Sequence, residues 1–295
     1  MVTNFPNTSH SRFVDVLGSK MHYIEDGSGD PILFLHGMPT SCYLWRNIIP
    51  YVAPLGRCIA VDLIGMGKSE KPDIDYTIED HIKYIDKFIE VMKLKRLTII
   101  MHGWGSIIGF NFAMNNPLVC KGLVFYESYL RPYNGEDISL PYQEQVSLLQ
   151  EQENNLDLIM NGTYFVDKIL PQGMMRPLTD EEMSHYREPF LQKGAGKPLR
   201  QYLQEMPRGS GKSSVDKVIA DYSKKLTQSS MPKLMLYSLP GFITTMASAI
   251  WAKEHFPNLE IVEIGEELHF AQESNPSLMG ETISVWLQGI EQTTS

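Results

Sequence analysis

A mostly parallel β-sheet, covered by helices on both faces and interrupted by a helical insertion, is the fold that this chain's hydrophobic pattern predicts. Three observations carry it. Short continuous apolar runs, the kind a strand buried on both faces needs, alternate with helical spacing in the first half. Strand character vanishes from about residue 133 to 213 and then returns. The runs also end on His36, Asp62, Gly103 and Glu127, side chains or turns suited to the carboxyl ends of parallel strands, where such sheets collect their chemistry.

Taken in order, residues 32–35 form a compact apolar run ending at His36-Gly37. Residues 58–63 form a second, closed by Gly65-Met66-Gly67. Residues 79–93 show helical spacing, with Ile82, Ile85, Phe88, Ile89 and Met92 on one face. The run 97–101 enters His102-Gly103-Trp104-Gly105 and a helix from Ile107, and the run 122–126 leads into Glu127. The following stretch is helical, polar and rich in Gln, Glu and Met, so residues 133–212 are expected to form a cap on a core made of 1–132 and 213–295. Strands are expected again at 233–237 and 259–264, the second just before Leu268-His269, and an amphipathic helix over 278–290 closes the chain.

Composition limits the functions open to this fold. With 295 residues, 43% hydrophobic and 21% charged, the chain can bury a full core. A net charge of −9 argues against nucleic acid as a partner, because phosphate binding needs clustered Lys and Arg. Cys42, Cys58 and Cys120 are too few and too scattered for a disulfide framework or a metal cluster, and are expected to be buried apolar residues in a reducing cytoplasm. The first residues lack the basic start and apolar run of a signal peptide, no stretch is long enough to cross a bilayer, and the sequons at Asn7 and Asn161 are expected to be chance.

The chemistry centres on residues 97–106. A strand entering a tight turn and then a helix is the setting of a nucleophile elbow, where Gly105 supplies a small neighbour and the turn lifts one side chain above the sheet. That position is Gly103, which has no side chain to lift.

The motifs DPILFLHGMPTSCYLWRNIIP (30–50), CIAVDLIGMGKSEKP (58–72), HGWGS (102–106), REPF (187–190) and LHFAQESNP (268–276) resemble those of the haloalkane dehalogenases, in the branch that includes coelenterazine-type luciferases, over nearly the whole length. The resemblance implies an α/β-hydrolase fold with a mainly parallel eight-stranded sheet. It places the family's aspartate nucleophile at Gly103, its histidine base at His269 and its supporting acid at Glu127. The first halide donor falls at Trp104. The second, an asparagine, is replaced by Met38, while the backbone N–H groups of Met38 and Trp104 would form the oxyanion hole. No cofactor and no metal is implied. The family usually has a small residue two positions before the histidine; here it is Glu267. A solvated loop is the ordinary expectation for Glu266 and Glu267, and the alternative is that Glu267 reaches the pocket as an added base.

Other candidates carry less. Cys42 lies near the oxyanion loop without an evident base, Ser106 is expected to cap the elbow helix, and Asp62 to shape the loop after its strand. His102 is read as a structural polar contact, and His22, His81, His185 and His255 as surface residues. The string 209–213 echoes a phosphate loop but lacks its first glycine and a preceding strand. Phe165, Leu170, Met174 and Met175 from the cap, with Pro240, Phe242 and Ile243 from the core, are expected to line a pocket for a small hydrophobic molecule, and Arg200 to face water.

The functional expectation is thus a haloalkane dehalogenase-like hydrolase, a monomer or weak homo-oligomer, whose haloalkane turnover is close to background. Three departures around one pocket suggest alteration by design. A non-catalytic small-ligand binder and a luciferase-type monooxygenase are the alternatives.

Overall fold

A computed structural model describes residues 11–132, 139–140, 143–144, 147, 153–207 and 213–292. Eight strands form one sheet in the order β1-β2-β4-β3-β5-β6-β7-β8. They are β1 (Ser11–Val16), β2 (Ser19–Asp26), β3 (Pro31–Leu35), β4 (Arg57–Val61), β5 (Leu97–Gly103), β6 (Cys120–Ser128), β7 (Lys233–Pro240) and β8 (Leu259–Glu267). All pairings from β4 through β3 to β8 are parallel, whereas β2 runs antiparallel to both β1 and β4. The sheet is therefore mostly parallel.

The central strands are the ones with unbroken apolar runs. Every residue of β5 is buried, and β3 and β4 are buried after their first residue. Sequence patterning missed β1 because it lies at the sheet's edge and exposes Arg12, Phe13 and Asp15, and missed β2 because its buried run 21–24 is interrupted by His22.

Helix α1 (Ile78–Val91) begins at a capping box, in which the Thr77 hydroxyl accepts from Asp80 N–H and the Asp80 carboxylate accepts from Thr77 N–H. It buries Ile78, His81, Tyr84, Ile85, Phe88 and Ile89, while Ile82 and Met92 are only half-buried at the margin of the expected face. Helix α2 (Trp104–Asn115) follows β5 directly and buries ten of its residues, as a helix against the middle of the sheet must. The described part of the cap holds α3 (Glu153–Met160), α4 (Asp180–Arg187) and α5 (Lys197–Glu205). The chain returns to the sheet through α6 (Ser214–Leu226), then α7 (Met246–His255) between β7 and β8, and ends in α8 (Pro276–Gln292). No described helix is long and apolar enough to cross a membrane. Asn7 and residues 209–212 of the phosphate-loop echo lie outside the described residues.

Buried ion pairs fasten cap to core. Arg46, after β3, grips Glu273 through both carboxylate oxygens (2.5 and 2.6 Å) and also reaches Glu182 of α4 (2.9 Å). Arg176 from the cap bonds both Glu182 (2.7 Å) and Glu273 (2.9 Å), and the Tyr186 hydroxyl donates to Glu273 as well. Each carboxylate oxygen is paired, which is the condition under which buried charge is tolerated.

Candidate active site

The turn from β5 into α2 fixes the site. Gly103 sits at φ +53°, ψ −125° as the residue capping α2, a backbone state that L side chains rarely adopt. Gly105 is required for a different reason. A Cβ there would lie 2.6 Å from the carbonyl oxygens of both Leu35 and His36, so only glycine lets α2 approach β3. Ser106 does not cap the helix: it lies one turn inside, where its hydroxyl donates to the Gly103 carbonyl (2.6 Å) and accepts from Tyr129 N–H (3.2 Å).

A side chain on Gly103 would have somewhere to go. Its Cβ would stand 3.5 Å from His269 Nε2 and 3.4 Å from Gly37 Cα, ordinary contact distances. The turn therefore aims position 103 at the imidazole.

His269 follows β8 and is buried. Its Nδ1–H donates to Glu127 Oε2 (2.8 Å). Glu127, near the end of β6, takes a strained φ of +49° and is itself held by N–H groups from Phe242 (3.0 Å), Ile243 (2.6 Å) and Thr244 (3.1 Å). Four donors converge on one carboxylate, so it is an immobile acceptor that fixes the tautomer of His269 and leaves Nε2 as the basic atom. His102 packs beside it (ring centroids 4.3 Å) and bonds the His269 carbonyl through Nε2 (2.8 Å). Burial first, and then the charge His269 could carry, push the His102 pKa well down, so it is a neutral donor. Phe242 and Phe270 rings flank His269 at 5.7 and 4.6 Å.

Trp104, the first residue of α2, is buried, and its Nε1–H finds no hydrogen-bond partner among the described residues. Its ring stands edge-on to Tyr202 of α5 (5.0 Å), a cap contact that sequence reading missed because nothing in the local pattern marks Tyr202 as facing the core rather than water. Met38 is buried, as are Phe165, Leu170, Met174 and Ile243. Phe242 is half-buried. Met175 and Pro240 are exposed, Met175 by 53%, and cannot line an enclosed pocket. At Met175 the chain turns outward, its N–H donating to the Ser274 hydroxyl (3.2 Å).

Glu267 is not on a solvated loop. It is the last residue of β8 and is buried, while Glu266 beside it is exposed, as strand alternation requires. Burial raises its pKa against an opposing hydrogen bond from Ser274, and Oε2 has no partner among the described residues. Arg200 does not simply face water either: it is half-buried, with Nη1 3.8 Å from Met160 Sδ.

Several other expectations are corrected by burial. His22 and His81 are 2% and 1% exposed, and only His185 and His255 lie at the surface. Burial lowers the His81 pKa to about 3, which keeps it neutral on the inner face of α1. Cys120 is half-buried, unlike Cys42 and Cys58. Asp62 does shape its loop, accepting from Cys42 N–H (2.7 Å) and Lys68 N–H (2.8 Å). Cys42 Sγ lies 3.9 Å from His22 Nδ1, but that nitrogen is engaged by Asp62, and burial and Asp62 push the Cys42 pKa well up, so it remains a thiol. His22, Cys42 and Asp62 bring three possible ligand atoms within 4.8 Å of one another, a grouping that sequence spacing does not reveal. The His22 nitrogen involved is already bonded to Asp62 (2.7 Å).

Comparisons with known proteins place the fold in a family. Residues 30–276 match the family model described as "alpha/beta hydrolase fold". A haloalkane dehalogenase of Mesorhizobium japonicum is 36% identical over 278 residues, 93% of this chain and 90% of the relative. The coelenterazine h 2-monooxygenase of Renilla reniformis is 32% identical, over 98% of this chain and 94% of its own. Among solved structures, a haloalkane dehalogenase from Bradyrhizobium elkani superposes with a TM-score of 0.91 at 32% identity, covering 96% of this chain and 99% of that one.

Proposed function

The chain belongs to the haloalkane dehalogenase family of α/β hydrolases, and on that premise we propose that it keeps the family's base and supporting acid while lacking the group that attacks carbon. The observation that carries this reading is the line from position 103 to His269 Nε2 to Glu127. A carboxylate at 103 would form an alkyl-enzyme ester, and His269 would activate the water that hydrolyses it. Gly103 supplies no carboxylate, and loss of a nucleophile commonly costs about 10⁴-fold or more. Met38 in place of the halide-binding asparagine removes a second donor, a loss of about 2.7–4 kcal/mol in comparable sites.

What remains is a general base. His269, oriented by Glu127, can take a proton from water as the water oxygen attacks the carbonyl carbon of an activated ester held between Trp104 and the apolar cap residues Phe165, Leu170 and Met174. Glu267, buried with a raised pKa, is the added base in this reading. The ligand is a small apolar organic molecule, and the protein acts without cofactor in the cytoplasm as a monomer or weak homo-oligomer. The absence of a side chain at 103 in an otherwise faithful elbow is consistent with a redesigned or disabled dehalogenase.

Bromide release from 1,2-dibromoethane tests the reading. The chain is expected to stay at background and Gly103→Asp to release bromide. Bromide release by the unaltered chain that vanishes in His269→Ala would overturn it. A second reading, capture of a small ligand without turnover, is favoured by the unpartnered Trp104 N–H. It predicts tight binding of apolar anions or halides and no ester hydrolysis. Monooxygenase chemistry like that named for the Renilla relative ranks last and would be revealed by light emission with coelenterazine.

A further inference from the structure

A second hydrogen-bonded relay lies outside the elbow, at the sheet's antiparallel edge. In the β1–β2 ladder Ser11 pairs with Ile24 and Phe13 with His22, so all four side chains share one face. Ser11 and His22 are diagonal neighbours on that face, and the Ser11 hydroxyl lies 2.7 Å from His22 Nε2. Across the next ladder Tyr23 pairs with Val61, which brings Asp62 level with His22, and His22 Nδ1 lies 2.7 Å from Asp62 Oδ2.

The proton positions follow from Asp62. Burial raises its pKa, but the hydrogen bond and charge of His22, with lesser help from His36 and Cys42 N–H, outweigh that and bring it down to about 2. Asp62 is therefore an ionised acceptor, and Nδ1 of His22 must carry the proton. In the neutral imidazole, the form that can act as a base, Nε2 is then the lone-pair nitrogen and the Ser11 hydroxyl donates to it. Asp62 is held still by Cys42 N–H and Lys68 N–H, and the His22 backbone N–H donates to Ser69 Oγ (2.9 Å). Pinning this loop needs only the His22–Asp62 bond. The hydroxyl on Nε2 adds a reactive group.

That group opens on a cleft of about 620 Å³. Ser11, Phe13, Tyr43, Lys68 and Lys71 are among its walls, so the hydroxyl shares this cleft with aromatic rings and two lysines.

We propose that Ser11 is a second nucleophile, with His22 as its general base and Asp62 as the orienting acid, that takes the acyl group of small aryl esters. Ser11 Oγ bonds to the ester carbonyl carbon as His22 Nε2 takes the hydroxyl proton. The carbon–oxygen bond to the aryl group breaks, and the phenolate leaves with that proton. Water, deprotonated by the same nitrogen, then cleaves the acyl-serine to carboxylic acid and free Ser11. Lys68 and Lys71 are the cations available to the oxyanion in both halves.

The test is acylation of the full chain with p-nitrophenyl acetate, followed by peptide mapping by mass spectrometry. An acetyl group is expected on Ser11, absent in Ser11→Ala and still present in His269→Ala, which separates this site from hydrolysis at the elbow. A second variant, Ser11→Cys, should be alkylated by iodoacetamide about 10²-fold faster than the same cysteine in Ser11→Cys/His22→Ala, the order expected of a positioned base. Ser11 left unmodified while lysines are acetylated, or a cysteine at 11 that reacts equally fast with and without His22, would overturn the proposal.

Discussion

At the scale of single residues, the candidate site is a set of fixed directions around a position, Gly103, that has no side chain. Gly103 has the space for a side chain but a φ of +53°, so any L residue there is strained by about 1–3 kcal/mol. Gly103→Asp is accordingly expected to melt at a lower temperature than the parent even as it gains halide release, and thermal unfolding beside the bromide assay reads both. Glu127 works on His269 by charge and by tautomer. Glu127→Gln keeps the side chain's length but can set an amide nitrogen against the three backbone N–H donors or present its –NH₂ to Nδ1. His269-dependent ester hydrolysis should fall by about 10²–10⁴-fold in that variant, the range seen when an orienting carboxylate is neutralised. A rate unchanged within a factor of two would remove Glu127 from the machinery.

At the scale of elements, strands position the site and helix caps hold the strands in place. The chain reverses from strand to helix at Gly103 only because Gly105 lets α2 lie against the carbonyls of β3. Helix α1 packs against α2 and β1 and starts at the Thr77–Asp80 capping box. Thr77→Ala leaves the Asp80 N–H without its acceptor and should cost about 1 kcal/mol of stability, detectable as a lower midpoint in urea with unchanged slope. The antiparallel edge is a different kind of element. It is short and mixed in polarity, and it carries the Ser11–His22–Asp62 relay because a pleated ladder sets alternate residues on one face.

At the scale of the whole molecule, the cap is joined to the core by the Arg46–Glu273–Arg176–Glu182 cluster. Chiefly the hydrogen bonds from Arg176, against partial burial, hold Glu182 at about 2, below its ordinary 4.5. Folding thus favours the ionised form. The stability it contributes is complete above the ordinary value and is lost as pH falls through about 2. The melting temperature of Glu182→Gln should lie below the parent's at neutral pH, with the gap closing as pH falls from about 5 towards 2. A gap independent of pH would mean that packing, not charge, links Glu182 to its partners. The sequence by itself determined the mostly parallel core, the helical insertion and the elbow with its bare Gly103, and it marked His269, Glu127 and Trp104 as candidates. Each is written locally, as an apolar run, a glycine-bounded turn or a contiguous motif. Only the tertiary structure decided that Glu267 is buried, that Met175 and Pro240 point outward, that Tyr202 packs on Trp104, and that His22 meets Ser11 and Asp62. Those facts depend on contacts between residues 11 to more than 90 positions apart, on strand register, and on which side of a mixed surface the cap covers. A local pattern of polarity carries no record of any of them.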